Sequence, residues 1–249
     1  MKEHIDTIPV NEAFDSGDEC PFCYLQRRAE QSTIRFVAGP SASYMEPDVR
    51  GVTDKVGFCA EHTKKLYDYG NSLGAALMLQ TYMAGILEEF HAEAPGLAPG
   101  KRSLFSKKAA PDPDSYPARI LQKADACFIC DRLNYHMNRY FLTFFHLVKD
   151  GEFRQKVESC KGFCMKHFAQ MMQNADQMLP KGQTDWFYST IPALMERNLV
   201  RVKEDLDWFI AKFDYRNASA DWKNSRDALS RTMQKLQTLY PADPPYKKD

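Results

Sequence analysis

Residues 57–62 read Gly57-Phe58-Cys59-Ala60-Glu61-His62, and residues 162–167 read Gly162-Phe163-Cys164-Met165-Lys166-His167. Upstream of each stands a second pair, Cys20-Pro21-Phe22-Cys23 before the first and Cys127-Phe128-Ile129-Cys130 before the second. The order repeats: CxxC, a gap of thirty-odd residues, then GFCxxH, with the copies offset by 105 to 107 residues. Six of the seven cysteines fall in this frame, an arrangement that chance rarely produces. The chain therefore reads as an internal duplication.

Each copy offers three thiols and one imidazole, a donor set that suits zinc and, through its soft sulfurs, iron–sulfur clusters. Ligands at i and i+3 on the first turn of a helix share a face and can chelate one ion. A helix N-terminus adds free N–H groups and partial positive charge, which favour the thiolate. The simplest pairing is local: Cys20, Cys23, Cys59 and His62 in copy one, and Cys127, Cys130, Cys164 and His167 in copy two. Four pairs also permit exchange between copies, but the repeat favours local sites. The expected cofactors are two Zn2+ ions, with two [4Fe-4S] clusters as the alternative. Four protein ligands on one zinc leave no open position for water, which is the pattern of a structural site. The bland alternative is that these are packed, buried cysteines.

Outward from the motifs, the pattern is helical throughout, and the fold class is all-α: two pseudo-repeated three-helix units, each stapled by a Cys3His site, plus a C-terminal helix and tail. In copy two the spacing predicts helices over 126–149, with Asp125 as N-cap, over 162–178 and over 190–213. Leu133, Met137, Tyr140, Phe141, Phe144 and Val148 form the apolar stripe of the first. Met195, Leu199, Val202, Leu206, Phe209 and Phe213 step by three and four along the third, with Pro192 near its start, where proline is tolerated. Copy one predicts helices over 21–37, 59–70 and 72–91, the last with the stripe Leu79, Tyr82, Met83, Ile86 and Phe90. Residues 221–236 predict a last helix, docked through Trp222, Leu229, Met233 and Leu236. The expected divisions are 1–93, a mobile Pro/Gly/Ser/Lys-rich linker over 94–117, 118–213, and 214–249.

Composition bounds the partners. The chain has 249 residues with 33 basic and 33 acidic side chains, so charge gives no argument for nucleic acid or an anionic membrane. Arg27-Arg28 and Lys107-Lys108 read as solvated surface. The most apolar stretch, 74–87, is too short for a membrane span and reads as a buried helix. The N-terminus has no apolar h-region, so a cytoplasmic, reducing location is expected, where clustered cysteines are more often ligands than disulfides.

The remaining candidates are weaker. Cys160 stands outside the repeat, opposite Lys55 of copy one, and no base accompanies it. His136 and His146 lie among Tyr135, Tyr140 and Phe144, where a cofactor pocket is conceivable but ordinary histidines are commoner. Glu61 and Lys166 differ in charge between copies and read as exposed. Phe58 and Phe163 read as core closing over each site. No Walker loop, GxGxxG, HExxH, GxSxG or EF-hand loop is present. The deaminase order is reversed here, and no βαβ pattern frames a thioredoxin-type CxxC.

The doubled frame, with the ending Phe209-Ile210-Ala211-Lys212-Phe213-Asp214-Tyr215-Arg216-Asn217 and the following Trp222-Lys223-Asn224-Ser225-Arg226-Asp227-Ala228-Leu229, resembles a bacterial family catalogued as domain of unknown function 6062. The resemblance spans nearly the whole chain and implies an all-helical, cysteine-rich bacterial protein, with no catalytic residues to carry over. The family is frequent in anaerobic bacteria, which favours the iron–sulfur alternative. Some members are labelled ABC transporter substrate-binding proteins. That label predicts an export signal and a two-lobed α/β pattern, neither of which is read here. The expected function is a metal-binding, structurally zinc-stapled protein in interaction or regulation, with a protein partner and without nucleic acid or membrane. The alternatives are an electron-transfer protein with two clusters and a metal-handling protein with exchangeable sites, Cys160 serving as transfer thiol.

Overall fold

The computed structural model describes residues 5–41, 43–97 and 112–238. Its regular structure is entirely helical, with eleven α-helices and no strand among those residues. The chain divides into two compact units. One joins residues 5–29 to 135–238, and the other holds residues 30–97 and 112–134. The boundaries fall inside helices α2 (Pro21–Ala38) and α7 (Phe128–Leu147).

The first unit contains α1 (Thr7–Asp15), the start of α2, most of α7, α8 (Gly151–Ser159), α9 (Met165–Met178), α10 (Thr184–Ala211) and α11 (Ala228–Gln237). Its core is aromatic. Phe22 stacks on Phe141 with centroids 4.3 Å apart, and Phe14 stacks on Phe144 at 5.8 Å. Phe153 and Phe163 meet Phe14 edge-on, at 5.1 Å and 6.3 Å. Phe22, Phe144 and Phe163 are completely buried, each stabilising the fold by about 2–3 kcal/mol through area removed from water.

The second unit contains the rest of α2, α3 (Pro47–Val56), α4 (Ala60–Tyr69), α5 (Ser72–Glu93), α6 (Tyr116–Asp125) and the start of α7. Asn71 caps α5 by accepting from the Gly74 amide at 3.1 Å, while its own amide donates to the Ala38 carbonyl at 2.8 Å. The core is thinner, built from Ile34, Val37, Leu66, Tyr69, Met78, Phe128 and Ile129.

Several expectations need correction. Helices α1, α3, α6 and α8 add to those the spacing predicts; each is short, with too few turns for an apolar period to show. Asp125 is the last residue of α6 rather than a cap. Thr184 rather than Thr190 begins α10, so Pro192 lies inside the helix, where it lacks the N–H that would reach the Tyr188 carbonyl. The stretch 74–87 is not buried: Gly74 and Met78 are the buried residues of α5, while Leu79, Met83, Leu87 and Phe90 are exposed.

The last helix begins at Ala228, not Asp221, and docks by the opposite face. Leu229, Met233 and Leu236 point outward, while Arg231, Gln234 and Lys235 are buried. Arg231 pairs with Asp205 and Asp227, each at 2.9 Å, and Lys235 Nζ donates to the Glu19 and Lys161 carbonyls. Cations buried with full pairing outcompete the apolar stripe here. Trp222 does dock, against Phe209 with centroids 6.0 Å apart, but from a turn. Most of the expected linker, 98–111, lies outside the described residues, as does Lys107-Lys108. Its ends are a 3-10 turn at Ala94–Leu97 and the start of α6.

Candidate metal centres

All four cysteine-led motifs fold alike. Cys20, Cys59, Cys127 and Cys164 each precede a helix, and their carbonyls accept the first intrahelical bonds from Tyr24, Thr63, Asp131 and Phe168 at 2.9–3.1 Å. The second ligand of each pair lies three residues on, one turn along the same face. Before Cys59 and Cys164 the chain turns through a left-handed glycine, Gly57 at φ 69° and Gly162 at φ 76°. At Gly57 an added Cβ would meet the Tyr82 ring at 2.6 Å, so glycine is required there for space as well as backbone. This is why GFC recurs.

All eight predicted ligand residues come together, in two groups of four, with the ligand atoms of each group within 4.8 Å of one another. The grouping corrects the local pairing. Cys20 and Cys23 join Cys164 and His167, while Cys59 and His62 join Cys127 and Cys130. Each copy's CxxC thus meets the other copy's GFCxxH. A fourfold longer loop raises the closure cost by only about 1 kcal/mol. Burying Phe22 and Phe163 beside the first group outweighs that.

In the first group Cys20, Cys23 and Cys164 Sγ lie 3.5, 3.5 and 3.2 Å from His167 Nδ1. In the second, Cys59, Cys127 and Cys130 Sγ lie 3.2, 3.3 and 3.3 Å from His62 Nδ1, and Cys59 and Cys130 are 3.9 Å apart. A single tetrahedral ion with metal–sulfur bonds of about 2.3 Å sets edges of roughly 3.5–3.8 Å between its ligands, so the residues fit one ion per group. With Nδ1 turned to the thiols, the outer Nε2 holds the proton and donates. It reaches Gln26 Oε1 at 3.1 Å in the first group and Glu30 Oε1 at 2.9 Å in the second. Glu30 also accepts from Lys65 Nζ at 2.7 Å, and Lys65 reaches the exposed Glu61.

The donor chemistry asks for a cation. Burial opposes ionisation of Cys127, but the His62 imidazole outweighs it and brings the thiol down to about 6. His62 is also opposed by burial, and Cys127 and Glu30 lift it to about 10. Hydrogen bonds from Cys20 and Cys23 hold Cys164 low. Three thiols move the other way: burial and then Cys164 raise Cys20, Cys164 and Cys20 raise Cys23, and burial and then Cys127 raise Cys130. Each group supports one thiolate, and Cys20, Cys23 and Cys130 resist ionisation until a positive ion offsets the repulsion.

The other candidates fall outside both groups. His136 stacks on Tyr140 with centroids 6.4 Å apart, and His146 is exposed. Phe163 is buried as expected, whereas Phe58 is only half-buried. Lys166 is exposed, and Arg28 pairs with Glu12 on the surface. Sequence reasoning missed Gln26 and Glu30, the partners of the two imidazoles. Their signal is positional, three and seven residues past Cys23 on one helix.

Fold and site define an all-helical protein with two Cys3His groups, each able to hold a metal ion. The chain belongs to the family of unknown function DUF6062, whose model matches residues 1–243. No curated protein and no solved structure matches it. No helix among the described residues is long and apolar enough to cross a membrane.

Proposed function

We propose that this is a cytoplasmic, zinc-stapled helical protein that acts by interaction or regulation, its two Cys3His centres each holding one structural Zn2+. The observation that carries the reading is the closeness of the ligand atoms, within 4.8 Å in each group. A [4Fe-4S] cluster seats its four ligands on four separate irons and spreads them wider than one ion does. The four ligands fill a tetrahedron and leave no place for a reacting water. Support for a protein partner comes from α5, whose outward Leu79, Met83, Leu87 and Phe90 follow one another at helical spacing.

Metal content and an absorption spectrum, on protein purified without oxygen, test the reading. Two zinc per chain and no visible absorption is the expected result. Iron with acid-labile sulfide and a broad brown absorption would overturn it in favour of electron transfer.

A further inference from the structure

Helix α5 is fixed from one side. Gly74 and Met78 are buried, and Thr81 Oγ1 donates to Asp54 Oδ1 of α3 at 2.5 Å and accepts from Arg50 of α3 at 2.9 Å. The other side carries Leu73, Ala76, Gln80, Met83, Leu87 and Phe90, all exposed and stepping alternately by three and four. That is the a/d spacing of a coiled-coil seam, held from Leu73 to Phe90. From residue 73 to residue 87 the chain has no charged side chain. A helix that is apolar all round is ordinarily covered all round, and α5 is covered on one side alone.

The seam has the same spacing read from either end, which is what a twofold interface requires. Laid antiparallel on a copy of itself, Leu73 meets Phe90, Ala76 meets Leu87, and Gln80 meets Met83. Gln80, the one polar member, then sits beside the axis, where the amides of the two copies can pair. Charge favours the same direction. A parallel pair would bring the Glu88 ends of both helices together, whereas an antiparallel pair lays each over the N-terminal turn of the other, whose partial charge is positive. The area also fits. Leu73, Leu79, Met83, Leu87 and Phe90 are 42–68% exposed and together show roughly 500 Å2, near the upper end for the largest patch on an ordinary monomer. With the rim around them, the face approaches the about 800 Å2 per partner of a standard interface.

We propose that α5 pairs antiparallel with α5 of a second copy of this chain, about a twofold axis between Gln80 and Met83, and that the protein is a homodimer. The proposal rests on the reading of α5 as a protein-docking face and names its occupant.

Analytical ultracentrifugation of the full chain tests it, with metal content measured on the same sample. A monomer holding two zinc would sink the pairing and leave the zinc reading standing, and a dimer without zinc would do the reverse. The chain is expected to sediment at twice its own mass at about 10 μM and to dissociate on dilution. Met83→Glu, at an exposed position, is expected to raise the dimer dissociation constant at least about a hundredfold, because it sets a charge in the seam, while helix content and bound metal are unchanged. Adding Gln80→Lys to Met83→Glu places opposite charges across the axis and is expected to recover at least about tenfold of the lost affinity. A chain still monomeric at about 100 μM, a dimer indifferent to Met83→Glu, or no recovery in the double variant would each overturn the proposal.

Discussion

The two metal groups use the same four residue types at the same helix positions, yet their settings differ. Around the first, all four ligands are buried, and Phe22 and Phe141 lie against the His167 ring with centroids 5.8 and 6.3 Å away. Around the second, Cys59 and Cys130 are partly exposed, and Phe58, the counterpart of Phe163, is only half-covered. The outer imidazole nitrogen meets a neutral amide in one case and a carboxylate in the other. The second group compensates for its thinner cover with charge and backbone. Its imidazole is polarised by Glu30, and the Phe128 amide donates to the Gly57 carbonyl at 3.0 Å, tying its two ligand loops together. The first group has no such bond, because Pro21 stands where Phe128 does and has no N–H to give. A ligand motif thus fixes the geometry of a centre, while its neighbours set how firmly and how openly it is held.

The contrast can be broken most sharply at the ligands. Cys164→Ser is expected to release one metal per chain and to unfold the first unit, because structural metal binding is folding free energy. Cys59→Ser should also release one metal, while the aromatic core keeps a cooperative thermal transition. Circular dichroism melts with metal analysis separate the two outcomes.

Next in size is the phenylalanine pair. Phe163→Ala is expected to cost about 3–5 kcal/mol in denaturant unfolding, and Phe58→Ala clearly less, since it is not fully buried to begin with.

A third comparison concerns the imidazole partners. Glu30→Gln is expected to weaken metal at the second centre by about 10- to 100-fold in chelator competition and to leave the first centre unchanged. Acid sharpens the same contrast. Protons compete with metal for thiolate and imidazole, so falling pH releases the ions, and the half-exposed second centre should empty at the higher pH. With Glu30→Gln that release should begin at a higher pH still. A colorimetric chelator followed during acidification reads both steps.

The smallest effect belongs to the glycines. Gly57→Ala should destabilise by about 1–3 kcal/mol through left-handed strain and the clash with Tyr82. Gly162→Ala should cost less, because its nearest neighbour would be 3.5 Å away.

The eight sulfur and imidazole groups, the helical class, and the starts of α2, α4 and α5 were legible because ligand spacing and apolar period are local signals. The pairing was not. Either grouping satisfies every ligand, and the loop-closure difference of about 1 kcal/mol is too small to decide. What decides it is the aromatic cluster of Phe14, Phe22, Phe141, Phe144 and Phe163, contributed by segments far apart in sequence. The inward face of α11 was misread for a related reason. Arg231 and Lys235 look like surface until Glu19, more than 200 residues earlier, is seen to stand beside them. Short helices such as α3 and α8 hold too few turns for a period to show.

The exchanged pairing makes the two halves of the sequence mutually incomplete. A cut anywhere between residues 97 and 112 would leave two fragments, each owning two ligands of both centres and a full complement of neither. Such fragments are a natural split protein. Separately neither could rebuild either of these centres, and together the metal would act as the switch that reassembles them.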